Sequence, residues 1–254
     1  MLEAAVVQDE RFAAARTESR ALLELAALQR DPLFYGFGAP RGDGRPVLVV
    51  PGLFGSDAYL QPLRGWLMRV GYTPLRSSLT LNAGCPNRLR EQVEVALLRQ
   101  LSAHSGPITL IGHSRGGLLA WAIASRMQAR VQQLALLGSP AAAVVAMMRA
   151  APGEGTPPPA ASFVADAGAR ALRLLDPDCT VPACGCAYTD DLRRPLHAAT
   201  RVLAVCSRDD PIVFPAGCPV PDAENVEVSG SHSGLVYNRA VYRALARFLA
   251  TPAD

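Results

Sequence analysis

Six short apolar runs alternate with stretches of helical periodicity, and this alternation constrains the chain more than any other feature of its sequence. The runs fall at 47–50, 72–77, 108–111, 131–137, 201–206 and 226–228. Helical patterns fill about 57–70, 88–102, 118–128 and 239–249. Strands that alternate with helices pair in parallel and bury both faces of their sheet. The pattern therefore predicts an α/β architecture: a mostly parallel sheet of about six strands with helices on both faces.

The rhythm departs at two places. Residues 5–30 are rich in Ala and Leu at helical spacing and stop before Asp31-Pro32, which predicts a helical extension over 1–32 packed on the outside. Between Gly138 and Thr200 lie an alanine-rich helical stretch, the loop PGEGTPPP and a group of cysteines, which predict a cap insertion over 139–200. Half of the 254 residues are hydrophobic, enough for one domain over 1–254 that carries both additions.

Composition removes several function classes. All 25 positive charges are arginine, since the sequence has no lysine. That excludes a lysine Schiff base, a lysine general base and the lysine-bearing phosphate loop. A net charge of +3 on scattered arginines does not describe a nucleic-acid surface. Glu3, Asp9, Glu10, Arg11 and Arg16 interrupt the apolar stretch that a secretory signal needs, and no run of about 18 apolar residues offers a membrane span. The expectation is a cytoplasmic protein with a small-molecule partner, and neither nucleic acid nor a membrane span; nothing in the sequence sets its oligomeric state.

The cysteines stay open. Cys179, Cys184 and Cys186 of the cap, with Cys218, read as free thiols, as a disulfide between cap and body, or as ligands of a structural zinc. Their spacing is not a usual zinc knuckle and a reducing compartment disfavours the disulfide, so free thiols and no metal are expected. Cys85 and Cys206 read as small buried residues.

The chemistry gathers at Gly112-His113-Ser114-Arg115-Gly116, between a strand and a helix. Flanking glycines permit a sharp turn that holds the serine hydroxyl above the sheet edge, at the positive end of the following helix. A serine hydroxyl needs a base near neutral pH. Of four histidines, His232 in Ser229-Gly230-Ser231-His232-Ser233-Gly234 follows the last strand, where a loop can carry an imidazole back over the sheet. His113 points away from its neighbour's hydroxyl, His104 lies at a polar helix end and His197 in the cap. An acid must orient the imidazole. In Ser207-Arg208-Asp209-Asp210-Pro211-Ile212-Val213, Asp210 precedes an apolar pair able to pin it, whereas Asp209 reads as a solvated turn residue. The oxyanion donors expected are the amides of Arg115, after the serine, and Leu53, after Pro51-Gly52.

At this point the sequence resembles the α/β-hydrolase superfamily, and within it small bacterial esterases and lipases. The resemblance covers about 45–250 and rests on VLVVPGLFG, TLIGHSRGG, SRDDPIVFP and SGSHSGLVYN. It implies the α/β-hydrolase fold, Ser114 as nucleophile, His232 as base, Asp210 as its partner, and Leu53 and Arg115 as oxyanion donors. Pro51 departs from the pattern, standing where many lipases carry a histidine that supports the oxyanion loop. Arg115 replaces a common glutamine or methionine, which leaves its backbone role untouched. The expected activity is hydrolysis of short-to-medium acyl esters without a cofactor, with Phe54, Phe214, Leu235 and Val236 lining the substrate site. An acyltransferase with the same triad and a non-catalytic binding protein on the same fold are the alternatives.

Overall fold

The structure is a computed structural model and describes residues 15–142, 145–146, 176–177 and 186–251. Its centre is a six-stranded sheet of β1 (Pro46–Val50), β2 (Thr73–Arg76), β3 (Ile108–His113), β4 (Val131–Leu137), β5 (Arg201–Ser207) and β6 (Glu224–Val228). Spatial order is β2-β1-β3-β4-β5-β6, and every neighbouring pair is parallel. The helices are α1 (Ala21–Leu28), α2 (Gln61–Arg69), α3 (Pro86–Gln100), α4 (Arg115–Met127), α5 (Ala187–Arg193) and α6 (Arg239–Ala250). This is the parallel sheet covered on both faces that the alternation of runs predicts, in the layout of the α/β-hydrolase fold that the resemblance implies.

Two-residue periodicity sorts the strand side chains onto two faces. Leu48, Val50, Leu110, Leu134 and Leu136 pack with Leu89, Val93 and Leu97 of α3, Leu119 and Ile123 of α4, and Tyr188 and Leu192 of α5. Val47, Val49, Ile111, Leu137 and Val205 turn the other way, onto Trp66 and Leu67 of α2 and Tyr242, Leu245 and Phe248 of α6. Deleting one such fully buried leucine to alanine costs about 2–5 kcal/mol.

The helix between β1 and β2 starts at Gln61 rather than near 57. Asp57 is held outside it, because its carboxylate accepts from the Ser77 and Ser78 amides and the Ser77 hydroxyl. The N-terminal extension is helical from residue 15 to 18 and again through α1, which packs against the segment Ser233–Tyr237. Most of the expected cap lies outside the described residues. Of the part that is described, α5 docks on α4, where Ser125 Oγ donates to the Asp191 carbonyl at 2.6 Å. The buried Arg90 of α3 and Asp191 of α5 bind each other at 3.4 Å, and Glu94 and Arg126 extend that ion pair. No helix among the described residues is long and apolar enough to cross a membrane.

Candidate active site

All the loops that carry expected site residues leave the carboxyl ends of strands, and parallel pairing puts those ends on one edge. Val50 lies level with Gly112, His113 with Leu137, and Ser207 with Val228.

Ser114 occupies the single residue between β3 and α4, with φ 52° and ψ −126°. Such a backbone is strained for any residue with a Cβ and persists only where the surroundings over-determine it. Two constraints enforce it here. The Ser114 N–H donates to the Leu137 carbonyl at 2.8 Å. On either side, a Cβ at Gly112 would overlap the Gly117 backbone, and one at Gly116 would overlap the Pro51 carbonyl. Strand and helix therefore approach too closely for any other residue, and the serine is lifted at the amino end of α4.

His232 stands at the start of the 3-10 turn Ser233–Tyr237 and is 4% exposed. Its Nδ1 bonds Asp210 Oδ2 at 2.6 Å. The other oxygen, Asp210 Oδ1, accepts the Ile212 and Val213 amides at 2.8 and 2.9 Å. The carboxylate is thereby fixed by its own loop, and the apolar pair after Pro211 does anchor it, with Val213 buried. Asp209 is exposed and accepts the Gly230 N–H at 3.1 Å instead. An Nδ1–H committed to Asp210 leaves Nε2 of His232 as the basic nitrogen.

His113 lies against His232, with ring centroids 4.9 Å apart, yet it is held by other partners. Gly52 N–H donates to Tyr59 Oη at 2.6 Å, Tyr59 Oη lies 2.9 Å from His113 Nδ1, and His113 Nε2 lies 3.0 Å from the His232 carbonyl. With a neutral ring only one proton arrangement satisfies all three contacts: Tyr59 donates to Nδ1, and Nε2–H donates to the carbonyl. Full burial, with the charge of neighbouring His232 acting in the same sense, pushes the His113 pKa down to about 3, so the ring stays neutral.

The loop after β1 brings Gly52, the residue before Leu53, against the serine: a Cβ on Gly52 would lie 3.2 Å from Ser114 Cβ. Among the described residues the Leu53 N–H has no hydrogen-bond partner. The loop is pinned by Asn82, fully buried, whose Nδ2 donates to the Pro51 carbonyl at 2.7 Å. Asn82 also exchanges backbone bonds with Phe54 and Gly55. The Arg115 guanidinium closes the arrangement by donating to Asn82 Oδ1 at 3.2 Å and to the Gly84 carbonyl at 2.6 Å. Tyr59 and Asn82 thus give this loop its polar support, at Gly52 and at Pro51.

Of the four expected lining residues, Phe54 and Phe214 are exposed, at 44% and 46%. Leu235 and Val236 are not lining. Both are fully buried in the core with Trp66 and Tyr242, because the 3-10 turn after His232 directs them inward. Cys85, Cys206 and Cys218 are free thiols, while Cys179 and Cys184 lie outside the described residues. Burial raises the Cys218 thiol to about 12. Among the described residues no group of three His, Cys, Asp or Glu side chains is placed to hold a metal.

Residues 92–163, from the middle of α3 past the elbow, match the family model of the thioesterase domain. A stretch of 119 residues is 34% identical to a protein of Variovorax paradoxus (strain S110) that carries the name carbamate hydrolase RutD. The match takes in 42% of this chain and 42% of that relative, so it spans less than half of the relative's length. Among solved structures, the pyrethroid hydrolase PytH superposes with a TM-score of 0.54 at 18% identity, over 83% of this chain and 99% of that one. The lipase BlEst2 of Bacillus licheniformis, in its mature form, gives 0.52 at 12% identity, over 84% and 95%. At such identities the likeness is one of fold. The strand order, the turn at Ser114 and these likenesses together show the α/β-hydrolase fold.

Proposed function

We propose that this protein is a serine hydrolase that cleaves carboxylic esters through an acyl-enzyme. Ser114 Oγ attacks the carbonyl carbon and its proton passes to His232 Nε2. Asp210 holds the imidazole in the required tautomer and stabilises the imidazolium. The amides of Leu53 and Arg115 receive the oxyanion. His232 then returns the proton to the departing alkoxide, and water repeats the sequence on the acyl-serine. The chemistry requires only groups of the chain.

The observation that carries this reading is the 2.6 Å bond between His232 Nδ1 and Asp210 Oδ2. A buried carboxylate whose one cationic partner among the described residues is an imidazole that charges during the reaction suits a general base. The thioesterase-domain match across the elbow favours a second substrate class, since a thioester presents the same carbonyl to the same groups. Exposed Phe54 and Phe214 would meet an acyl chain, and each methylene buried there contributes about 0.8 kcal/mol.

Labelling with a fluorophosphonate probe tests the reading, alongside hydrolysis of p-nitrophenyl esters of increasing chain length and of acyl thioesters. The wild-type protein should label on Ser114, and Ser114→Ala should lose the label and about four or more decades of turnover. Labelling elsewhere, or turnover by Ser114→Ala near that of wild type, would overturn the mechanism. Acyl transfer to added alcohol in preference to water would identify an acyltransferase.

A further inference from the structure

Three successive backbone amides around His232 donate to two carboxylates from the N-terminal extension, more than two hundred residues away in sequence. Ser231 N–H donates to Glu24 Oε1 at 2.7 Å, His232 N–H to Glu18 Oε1 at 2.8 Å, and Ser233 N–H to Glu18 Oε2 at 2.9 Å. The Ser231 hydroxyl adds a bond to Glu24 Oε2 at 3.2 Å. Asp209 takes the preceding amide, that of Gly230. Four amides in a row thus end on carboxylates. The loop is also shaped around its guest: a Cβ at Gly234 would fall on the Glu24 carboxylate, so any other residue there would displace it.

The main chain of His232 is consequently gripped at both ends. Its N–H is bound by Glu18 and its carbonyl by His113, while Asp210 fixes the ring. None of these contacts involves the extension's apolar face, so the two carboxylates do something that packing alone does not. Burial raises the Glu24 pKa, and its bonds to Ser231 oppose that shift. A carboxylate held in a half-buried place by backbone donors is an anchor, and the loop it anchors carries the imidazole.

We propose that Glu18 and Glu24 are positioning residues for His232, so that the N-terminal extension is a working part of the hydrolytic site. This inference rests on the serine-hydrolase reading above. A displacement of about 1 Å in a reacting group can cost on the order of 100-fold in rate, and a loop whose amides bond water instead of fixed carboxylates will sample such displacements. Substrate binding, which the proposal assigns to other residues, should be little affected.

The test uses the full chain with Glu24→Ala, Glu24→Gln and Glu18→Ala. Glu24→Ala should lower kcat about 10- to 100-fold, leave KM within about twofold, and slow fluorophosphonate labelling of Ser114 in proportion to kcat. Glu24→Gln should recover most of the rate, because its carbonyl still accepts the Ser231 N–H and the Ser231 hydroxyl can rotate to accept from the amide. Glu24→Gln also serves where Glu24→Ala fails to fold. Hydrogen exchange of the peptide spanning 229–234 should speed up in Glu24→Ala and in Glu18→Ala while that of β3 and β4 holds.

Wild-type kcat in Glu24→Ala, a rise in KM alone, or a Gln variant as impaired as the Ala variant would overturn the proposal. Unchanged exchange across 229–234 would overturn it by itself, whatever the activity. A wild-type protein that neither labels nor hydrolyses any ester or thioester would overturn the serine-hydrolase reading, and the catalytic part of this proposal with it. The exchange result would then still report separately whether the carboxylates hold the loop.

Discussion

His113 and His232 are packed ring to ring, but the bond that joins them runs from His113 Nε2–H to the His232 main-chain carbonyl, at 3.0 Å. Through Tyr59, the same imidazole reaches the Gly52 amide at the root of the loop after β1. One neutral histidine therefore ties together the two loops proposed to hold the base and an oxyanion donor.

A pH dependence of stability follows. The folded His113 pKa is depressed to about 3 from an ordinary 6.5, chiefly by burial. The unfolded chain then binds a proton more readily than the folded one between those values. Stability from this site is fully present above about pH 6.5 and is lost as pH falls towards 3. Urea unfolding of wild type and His113→Gln between pH 7 and pH 4 should show the steeper acid loss in wild type. Parallel curves would mean that His113 is not the group responsible.

The two adjacent aspartates should separate cleanly. Asp210→Asn leaves the imidazole without a partner that fixes its tautomer and should reduce turnover by about four decades. Asp209→Asn weakens one bond, to the Gly230 amide, at an exposed position and should cost no more than about 1 kcal/mol of stability, with turnover within a few-fold. Steady-state kinetics on both variants would check this ranking, and its reversal would move the acid by one residue.

The residues that sequence made legible are those whose role is local. Gly112 and Gly116 announce a close strand–helix approach, and the apolar pair after Pro211 announces an anchored Asp210. Leu235 and Val236 misled because adjacency to His232 suggested a shared pocket, whereas the intervening 3-10 turn rotates them into the core. Tyr59, Asn82, Glu18 and Glu24 were not foreseen at all. Tyr59 falls in a stretch read as helix, Asn82 in a polar loop, and the glutamates on the polar side of an Ala/Leu-rich helix. Each makes at least one contact whose partner lies about 30 to 215 residues away. Nothing in periodicity or spacing carries such information; the one trace is Gly234, whose missing side chain makes room for Glu24.

Asn82 yields a test of the oxyanion loop. Its side chain is fully buried, donating to Pro51 and accepting from Arg115. Asn82→Ala leaves the Pro51 carbonyl without that donor, and each such loss costs about 1–3 kcal/mol. The expected result is a drop in urea midpoint together with a lower kcat on short p-nitrophenyl esters, since both oxyanion amides lose a common brace. A stability loss with kcat intact would confine Asn82 to packing.

Strain at the elbow provides the last prediction. Ser114 holds φ 52° with ψ −126°, a conformation that costs any residue with a Cβ on the order of 1–3 kcal/mol, whereas glycine adopts it freely. Both Ser114→Ala and Ser114→Gly remove the hydroxyl, so the comparison between them isolates the backbone. The alanine variant keeps the strain; the glycine variant relieves it, at the expense of a more flexible unfolded chain worth about 0.5–1 kcal/mol in the opposite sense. Relief should prevail, because the bond from the Ser114 N–H to the Leu137 carbonyl and the close approach at Gly116 hold the turn in both variants. Thermal or urea unfolding should then rank Ser114→Gly above Ser114→Ala by about 1 kcal/mol. Equal stabilities, or the reverse order, would mean that the turn is relaxed in solution and that the serine is presented without stored strain.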